Sequence, residues 1–371
     1  MTGDAPADGA DSEAELDLEL GERFYMDNSR LEEEYTQDII ESIRHAISRR
    51  FAEGDRPARR DAHAFDNGCV RAIFRIDSDL KPELQHGAFI PGREYSAWIR
   101  FSNGNFVRRS RIWPDARGMA IKLMGVPGAK LMPDERDTQD FILISHPVFF
   151  VDDLVRYKAT LVDFLRGGIF DQYVRAILRL RGWERWLALI ANARWQLNPL
   201  FQQYWSMTPY RLGAEPSRKT AVKYTAKPRL GRRPNRYRRL LAYLKWGFSA
   251  KKEMNDALAR AEMWFDFYVQ RFVDDRLTPI EDSKVEWKED ISPLEHVAKI
   301  IIPSQDLMSA EQAIFCENLS FSPWHGLPAH RPLGLVNRVR KKTYLAVSSH
   351  RHELNKAPPA EPTGDERFKR L

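Results

Sequence analysis

The sequence predicts an α+β fold built on a mainly antiparallel sheet. Three observations carry this reading. Strand-like segments come in two runs, each followed by helical patterns, with no strand–helix alternation of the kind that builds parallel sheets. The strand candidates are parted by Gly, Pro, Asn and Asp turns. No Gly-rich phosphate fingerprint links a strand to a helix, which argues against a nucleotide enzyme. With 371 residues, 43% of them hydrophobic and 11% aromatic, the chain can bury a sizeable core.

The elements follow in order. Residues 1–18, rich in Asp, Ala, Gly and Glu, read as a disordered acidic tail. Residues 29–52 read as a helix, because Leu31, Tyr35, Ile39, Ile43 and Ile47 recur near helical spacing. Residues 70–76, 95–101, 118–123 and 141–144 form the first run of strands. Residues 151–205 return to helical patterns and hold Trp183, Trp186 and Trp195 among arginines. Such helices can rest on a membrane surface, although packing on a large core is the commoner use. Residues 219–226 read as a strand and 236–262 as a basic helix. Residues 265–270 and 296–302 complete the strands, the former by apolar–polar alternation. A helix spans about Leu333 to Leu354. The chain is therefore divided into a tail (1–18), one domain (19–355) with a helical insert (151–205) and a basic segment (218–252), and a loose C-terminal tail (356–371). No internal repeat is present.

Charge is uneven. The formal net charge is +6, and residues 218–252 carry thirteen Lys or Arg and no Asp or Glu. Such a block attracts anions, but a solvated basic loop leading into a helix is the ordinary explanation, and no nucleic-acid partner is expected. Cys69 and Cys316 are the two cysteines; they could pair, but such sparse usage fits a reducing compartment better. No Cys/His cluster has zinc spacing. No apolar run reaches the roughly 18 residues of a membrane span. Acidic and small residues follow Met1, so no signal peptide is expected and the location predicted is cytoplasmic.

Candidate chemistry lies in three separated segments. His63 stands at the entrance of the first strand, three residues after Arg60, where a histidine can serve as a base near neutral pH. Arg100-Phe101-Ser102 ends the second strand. On the last helix, Asn337, Arg340, Tyr344, Ser348, Arg351 and Asn355 share one face, and Val336, Val339, Thr343 and Ala346 lie on another. Alone, that face would read as solvated. Tyrosinate is also a haem ligand type, and an arginine one turn away stabilises a phenolate.

Together these segments resemble the catalase superfamily, as a divergent member of bacterial type. The family introduces its first strand with Arg-x-x-His and a glycine five residues later, matched by Arg60, His63 and Gly68. It continues with Arg-Phe-Ser, Asp-x-Arg-Gly-x-Ala-x-Lys and Pro-x-Phe-Phe, matched by 100–102, 115–122 and 147–150. Phe267-Tyr268-Val269-Gln270, Glu311 to Phe315 and Phe321-Ser322-Pro323 are similar to later family segments. Arg340, Tyr344 and Arg351 reproduce Arg-x-x-x-Tyr with an arginine seven residues on.

The resemblance implies a catalase-like antiparallel β-barrel wrapped by helices, holding haem b with its iron and acting on a peroxide. It implies that His63 is the distal base and that Ser102 orients its ring. It implies that Tyr344 ligates the iron with Arg340 beside it, that Arg60, Arg100 and Arg351 pair with the haem propionates, and that Tyr157 stacks on the haem. Oligomerisation stays open. Two departures bear on activity. Ile144 stands where the family has an asparagine that helps orient peroxide, and Ser145 or His146 could replace it only through a register shift. Leu345-Ala346-Val347 stands for Pro-Asp-Thr. An apolar wall suits a bulkier organic or lipid hydroperoxide, and some relatives isomerise or cleave fatty-acid hydroperoxides. The expected functions are thus a catalase-like oxidoreductase, a fatty-acid hydroperoxide isomerase or lyase, or a non-catalytic haem-binding or membrane-peripheral module.

Overall fold

The computed structural model describes residues 18–60, 63–104, 117–134, 136–149, 153–159, 198–215, 217–229, 249–357 and 361–368. The acidic tail up to residue 17, most of the 151–205 insert and residues 230–248 of the basic segment lie outside the described residues.

Nine strands form one antiparallel sheet: β1 (Phe65–Ile76), β2 (Glu94–Asn103), β3 (Gly118–Met124), β4 (Thr138–Ile144), β5 (Tyr204–Trp205), β6 (Tyr210–Arg211), β7 (Ala221–Pro228), β8 (Met263–Arg271) and β9 (Glu295–Ile302). Their order is β5-β4-β3-β2-β1-β9-β8-β7-β6, and pairing of β5 with β7 closes eight of them into a barrel. Closure removes the open edges that such a sheet would otherwise expose. Alternation along β2 shows why the barrel forms. Tyr95, Ala97, Ile99 and Phe101 fill the interior, while Trp98, Arg100 and Ser102 take the other parity. Inside, Phe74, Phe89, Phe141, Tyr224 and Phe267 form a continuous aromatic cluster.

Helices pack on the outside, among them α1 (Ser29–Ala52), α2 (Ala250–Leu258), α3 (Ala310–Asn318) and α4 (Leu335–Asn355). α1 and α4 join through Ile39, Ile43, Ala46 and Ile47 against Leu335, Val339 and Val347. The predicted helices at 29–52 and 333–354 and the predicted strands are therefore present. Three details differ from the sequence reading. β5 lies inside the stretch read as helical, because its two residues complete the barrel seam between β4 and β7. Lys223, in the basic segment, is buried against Trp287 rather than solvated, and burial lowers its pKa to about 7. Cys69 and Cys316, expected to stay reduced, form a disulfide that ties β1 to α3.

Candidate active site

The outward residues at one end of the barrel make one wall of the site. Ser102 pairs across the sheet with Asp66 and Gly118, Gly118 with Ile144, and Ile144 with Trp205. Residues directly opposed in an antiparallel sheet point to the same face, with Cβ atoms about 4.5–5.5 Å apart. Ser102, the open space over Gly118 and Ile144 therefore form one row.

His63 lies against that row. Its Nδ1 is 3.1 Å from Ser102 Oγ, and its carbonyl accepts a hydrogen bond from Arg100 Nη2 at 2.9 Å. The glycine at 118 is required by this contact. A Cβ there would come within 2.5 Å of Ser102 Oγ and 2.8 Å of His63 Nδ1. His63 also adopts φ +55°, the left-handed region that a histidine seldom occupies. Such strain persists only where the surroundings hold it, and it clusters at functional sites. The ring is half-buried by surface area yet lies deep in the body of the fold. Burial, then the charges of Arg100 and Arg340, lower its pKa to about 3, so it stays neutral at working pH.

Beside His63, three arginines from distant parts of the chain meet around one carboxylate. Arg60 Nη1 and Arg351 Nη1 lie 3.0 and 3.1 Å from the same oxygen of Glu317, at the end of α3. Arg60 Nη2 also donates to the Leu319 carbonyl, and Arg351 Nη1 to the Glu317 carbonyl. Arg100 and Arg351 are 3% and 1% exposed, yet the Nε of each has no hydrogen-bond partner. Burial lowers the pKa of Arg351 to about 9 and of Arg100 to about 10, with Arg60 adding to both shifts. Buried guanidinium groups with spare donors and, among the described residues, a surplus of positive charge form a site suited to anions.

α4 supplies the facing wall. Its polar face is not solvated: Asn337, Arg340 and Arg351 are all buried, and Tyr344 between them is half-buried. The ordinary reading of this face as a solvated one fails because both sides of the helix are covered, one by α1 and the other by the barrel end. Asn337 receives hydrogen bonds from Thr208 Oγ1 and Arg340 Nη1 at 3.1 and 3.4 Å, and Arg340 lies over the ring of Phe149 at 5.3 Å. Asn355, at the end of the face, pairs through its amide with both the N–H and the carbonyl of Ala58. That clasp fixes the segment carrying Arg60.

The remaining wall is apolar. Ile144, Phe149, Met207, Tyr157 and Val336 form one cluster, with the Phe149 and Tyr157 rings 5.8 Å apart. The β3–β4 ladder runs in unbroken register from Gly118↔Ile144 to Met124↔Thr138. The register shift that could have put Ser145 or His146 in place of Ile144 is therefore not made. Ser145 Oγ instead accepts from the Arg117 N–H, and His146 Nδ1 lies 2.9 Å from the Val148 carbonyl.

The chain has a catalase-like fold. Its structure matches a fungal catalase with a TM-score of 0.63 at 17% identity, over 83% of this chain and 62% of that one. It matches catalase A from Saccharomyces cerevisiae with a TM-score of 0.63 at 15% identity, over 87% and 67%. A bacterial catalase gives 0.59 at 16% identity, over 82% and 60%. The chain thus spans about three-fifths to two-thirds of the length of these enzymes. In sequence, no family model and no curated protein matches it.

The predicted residues His63, Ser102, Arg60, Arg100 and Arg351 come together in one contiguous cluster. Arg340 and Tyr344 flank it on α4, and Tyr157 lies in the apolar wall. Glu317 escapes the sequence reading, since a glutamate at a helix end looks solvated. The signal that could have placed it is the cysteine pair. Cys69 lies directly opposite Arg100 on the neighbouring strand, so a bond from Cys69 to Cys316 brings Glu317 to Arg100.

Proposed function

We propose that this chain binds haem b between the barrel end and α4 and acts as an oxidoreductase on hydrogen peroxide or an organic hydroperoxide. One observation carries the reading. A neutral, strained histidine and two buried arginines with unsatisfied donors, Arg100 and Arg351, converge with Arg60 at the barrel end faced by the Tyr344 side of α4.

The residues fit the group. The orphaned Nε atoms of Arg100 and Arg351 are donors waiting for carboxylates, and haem brings two propionates. Tyr344 would supply a phenolate oxygen to a porphyrin-held iron. Tyr157 and Phe149 would give the group an apolar, aromatic wall. When bound, haem iron supplies the redox chemistry for cleaving a peroxide O–O bond.

The chain's own residues manage the proton. With Nδ1–H donated to Ser102 Oγ, Nε2 of His63 carries the free lone pair. It accepts the hydroxyl proton of the peroxide and passes it to the oxygen that leaves as water or alcohol. Ser102 holds the ring in that tautomer, as outer-sphere partners of histidines commonly do, and Gly118 lets the ring approach the wall. Ile144 cannot hydrogen-bond a small peroxide, so this wall favours a substrate with an apolar body over hydrogen peroxide itself.

The test is spectroscopic. Purified protein loaded with ferric haem is expected to show the spectrum of a tyrosinate-ligated haem and to retain it through gel filtration, while Tyr344→Phe loses it. Undiminished loading of the variant would sink the ligand assignment. A peroxide panel on the loaded protein then separates the activities. Oxygen release from hydrogen peroxide marks a catalase, and consumption of an alkyl or fatty-acid hydroperoxide without oxygen marks the organic reading. Inertness to all of them marks a haem-binding module.

A further inference from the structure

The arginine cluster already holds a carboxylate of its own. Glu317 is 11% exposed at its side chain, and one of its oxygens takes both Arg60 and Arg351. Its backbone cannot withdraw, because its carbonyl accepts from Arg351 Nη1 at 2.6 Å and the preceding residue is bonded to Cys69 on β1. Gln312 Nε2 adds a second tie from α3 to β1 through the Cys69 carbonyl. Nearby Arg59 has its own partner in Asp55 at 3.6 Å. Among the described residues, three guanidinium groups thus face Glu317 as their one ion-paired carboxylate, with Asp66 acting on Arg100 through its charge alone.

We infer that Glu317 is the determinant of how strongly this site takes an incoming carboxylate: it neutralises the arginine triad in the cofactor-free chain and competes with the porphyrin propionates for it. This rests on the haem reading proposed above. The physical basis is that a buried cation binds an anion more tightly when no other anion shares it, while its unpaired state costs more. Glu317 therefore stabilises the cofactor-free protein and weakens its hold on the porphyrin carboxylates. Both effects act through Arg60 and Arg351, whose Nη groups it occupies.

The experiment uses the full-length cofactor-free protein and two probes: protoporphyrin IX, which has two carboxylates, and its dimethyl ester, which has none. Binding is followed by porphyrin fluorescence, with thermal unfolding alongside. Glu317→Gln is expected to bind protoporphyrin IX about tenfold more tightly than wild type, the size of a modest change in a buried charge contact. Its affinity for the ester should not change, and its cofactor-free melting temperature should fall. Should that variant fail to fold, Glu317→Asp keeps the charge but draws it back by one methylene, and a smaller tightening in the same direction is expected. Equal affinity of folded variant and wild type for protoporphyrin IX would overturn the inference and leave the haem reading standing, as would equal tightening for acid and ester. Binding of neither porphyrin by either protein would overturn both.

Discussion

Two buried arginine clusters lie along the same helix, and they are built on opposite charge balances. Near the start of α4, Arg338 meets Glu32 at 2.8 Å, Glu281 at 2.9 Å and Glu22 at 3.0 Å, and Arg331 shares Glu22 at 2.7 Å. With Glu19 3.7 Å from Arg331, two arginines face four carboxylates. Burial opposes the charge of Arg338, but the Glu32 hydrogen bond and Glu281 outweigh it and raise its pKa. Glu22 and Glu281 also accept from the Gly334 and Leu335 N–H groups, so the same acids cap the helix. Near the other end, Arg351 shares one carboxylate with Arg60 and lies close to Arg100, and its pKa is lowered to about 9. The first cluster is complete within the protein. The second carries, among the described residues, unbalanced charges and orphaned donors, and that contrast is what the proposed binding of haem carboxylates rests on.

The largest effect expected from breaking this contrast is at the complete cluster. Arg338→Met would leave buried Glu22 with Arg331 and would take from buried Glu32 and half-buried Glu281 their ion pairs to Arg338. Removing one partner of a buried ion pair destabilises by about 3–5 kcal/mol, so denaturant unfolding should show a loss in that range. A loss under about 1 kcal/mol would mean that this cluster is no more essential than a surface pair.

A third buried cluster sharpens the comparison because its charges balance. Lys122 and His325 face Asp140 and Asp134, with Lys122–Asp140 at 2.9 Å and His325–Asp134 at 2.9 Å. Burial disfavours the charged His325 ring, but its hydrogen bonds to Asp134 and Asp140 prevail and raise its pKa to about 9. A histidine raised in the folded state contributes stability that is fully present below its unfolded pKa, about 6.5. That contribution is lost as pH rises through about 9. Wild type should therefore exceed Asp134→Asn by on the order of 2 kcal/mol at pH 6, and the gap should close above the folded pKa. Urea titrations at several pH values check it; a gap that stays constant with pH would remove His325 from the account.

Much of this organisation was legible in the sequence, and the rest was hidden for physical reasons. Alternation along Tyr95–Phe101 and helical spacing over Leu31–Ile47 revealed the strands and α1, because one buried face leaves a period. The spacing of Arg340, Tyr344 and Arg351 gave the helix face of the site. Periodicity could not tell that this polar face is buried, since a ligand face and a solvated face carry the same pattern. β5 was missed because two residues are too short to show a period. Glu317 was missed because its importance comes from a disulfide spanning 247 residues, and no local signal reports that. Ile144 was legible as a departure from the family pattern. That Ser145 and His146 cannot replace it required the strand register.

The smallest stability effect expected is at the incomplete cluster, and it is the sharpest test of the contrast. Arg351→Met nearly conserves volume in a site that is 1% exposed, so little cavity should form. It removes two hydrogen bonds to Glu317, but Arg60 still pairs with that carboxylate. It also removes one of three like charges, which relieves Arg60 and Arg100 of mutual repulsion with Arg351. These terms oppose: no carboxylate is left uncompensated, since Glu317 keeps Arg60, and the surplus of positive charge falls, so the usual cost of breaking a buried pair is largely avoided. The cofactor-free variant should therefore unfold within about 1 kcal/mol of wild type, whereas the equivalent change at Arg338 should not. Porphyrin titration supplies the other half: the same Arg351→Met variant should lose about tenfold or more in affinity for a dicarboxylate porphyrin. If Arg351→Met instead destabilised the cofactor-free chain as much as Arg338→Met, the two clusters would be equally structural, and surplus charge on α4 would no longer mark the site.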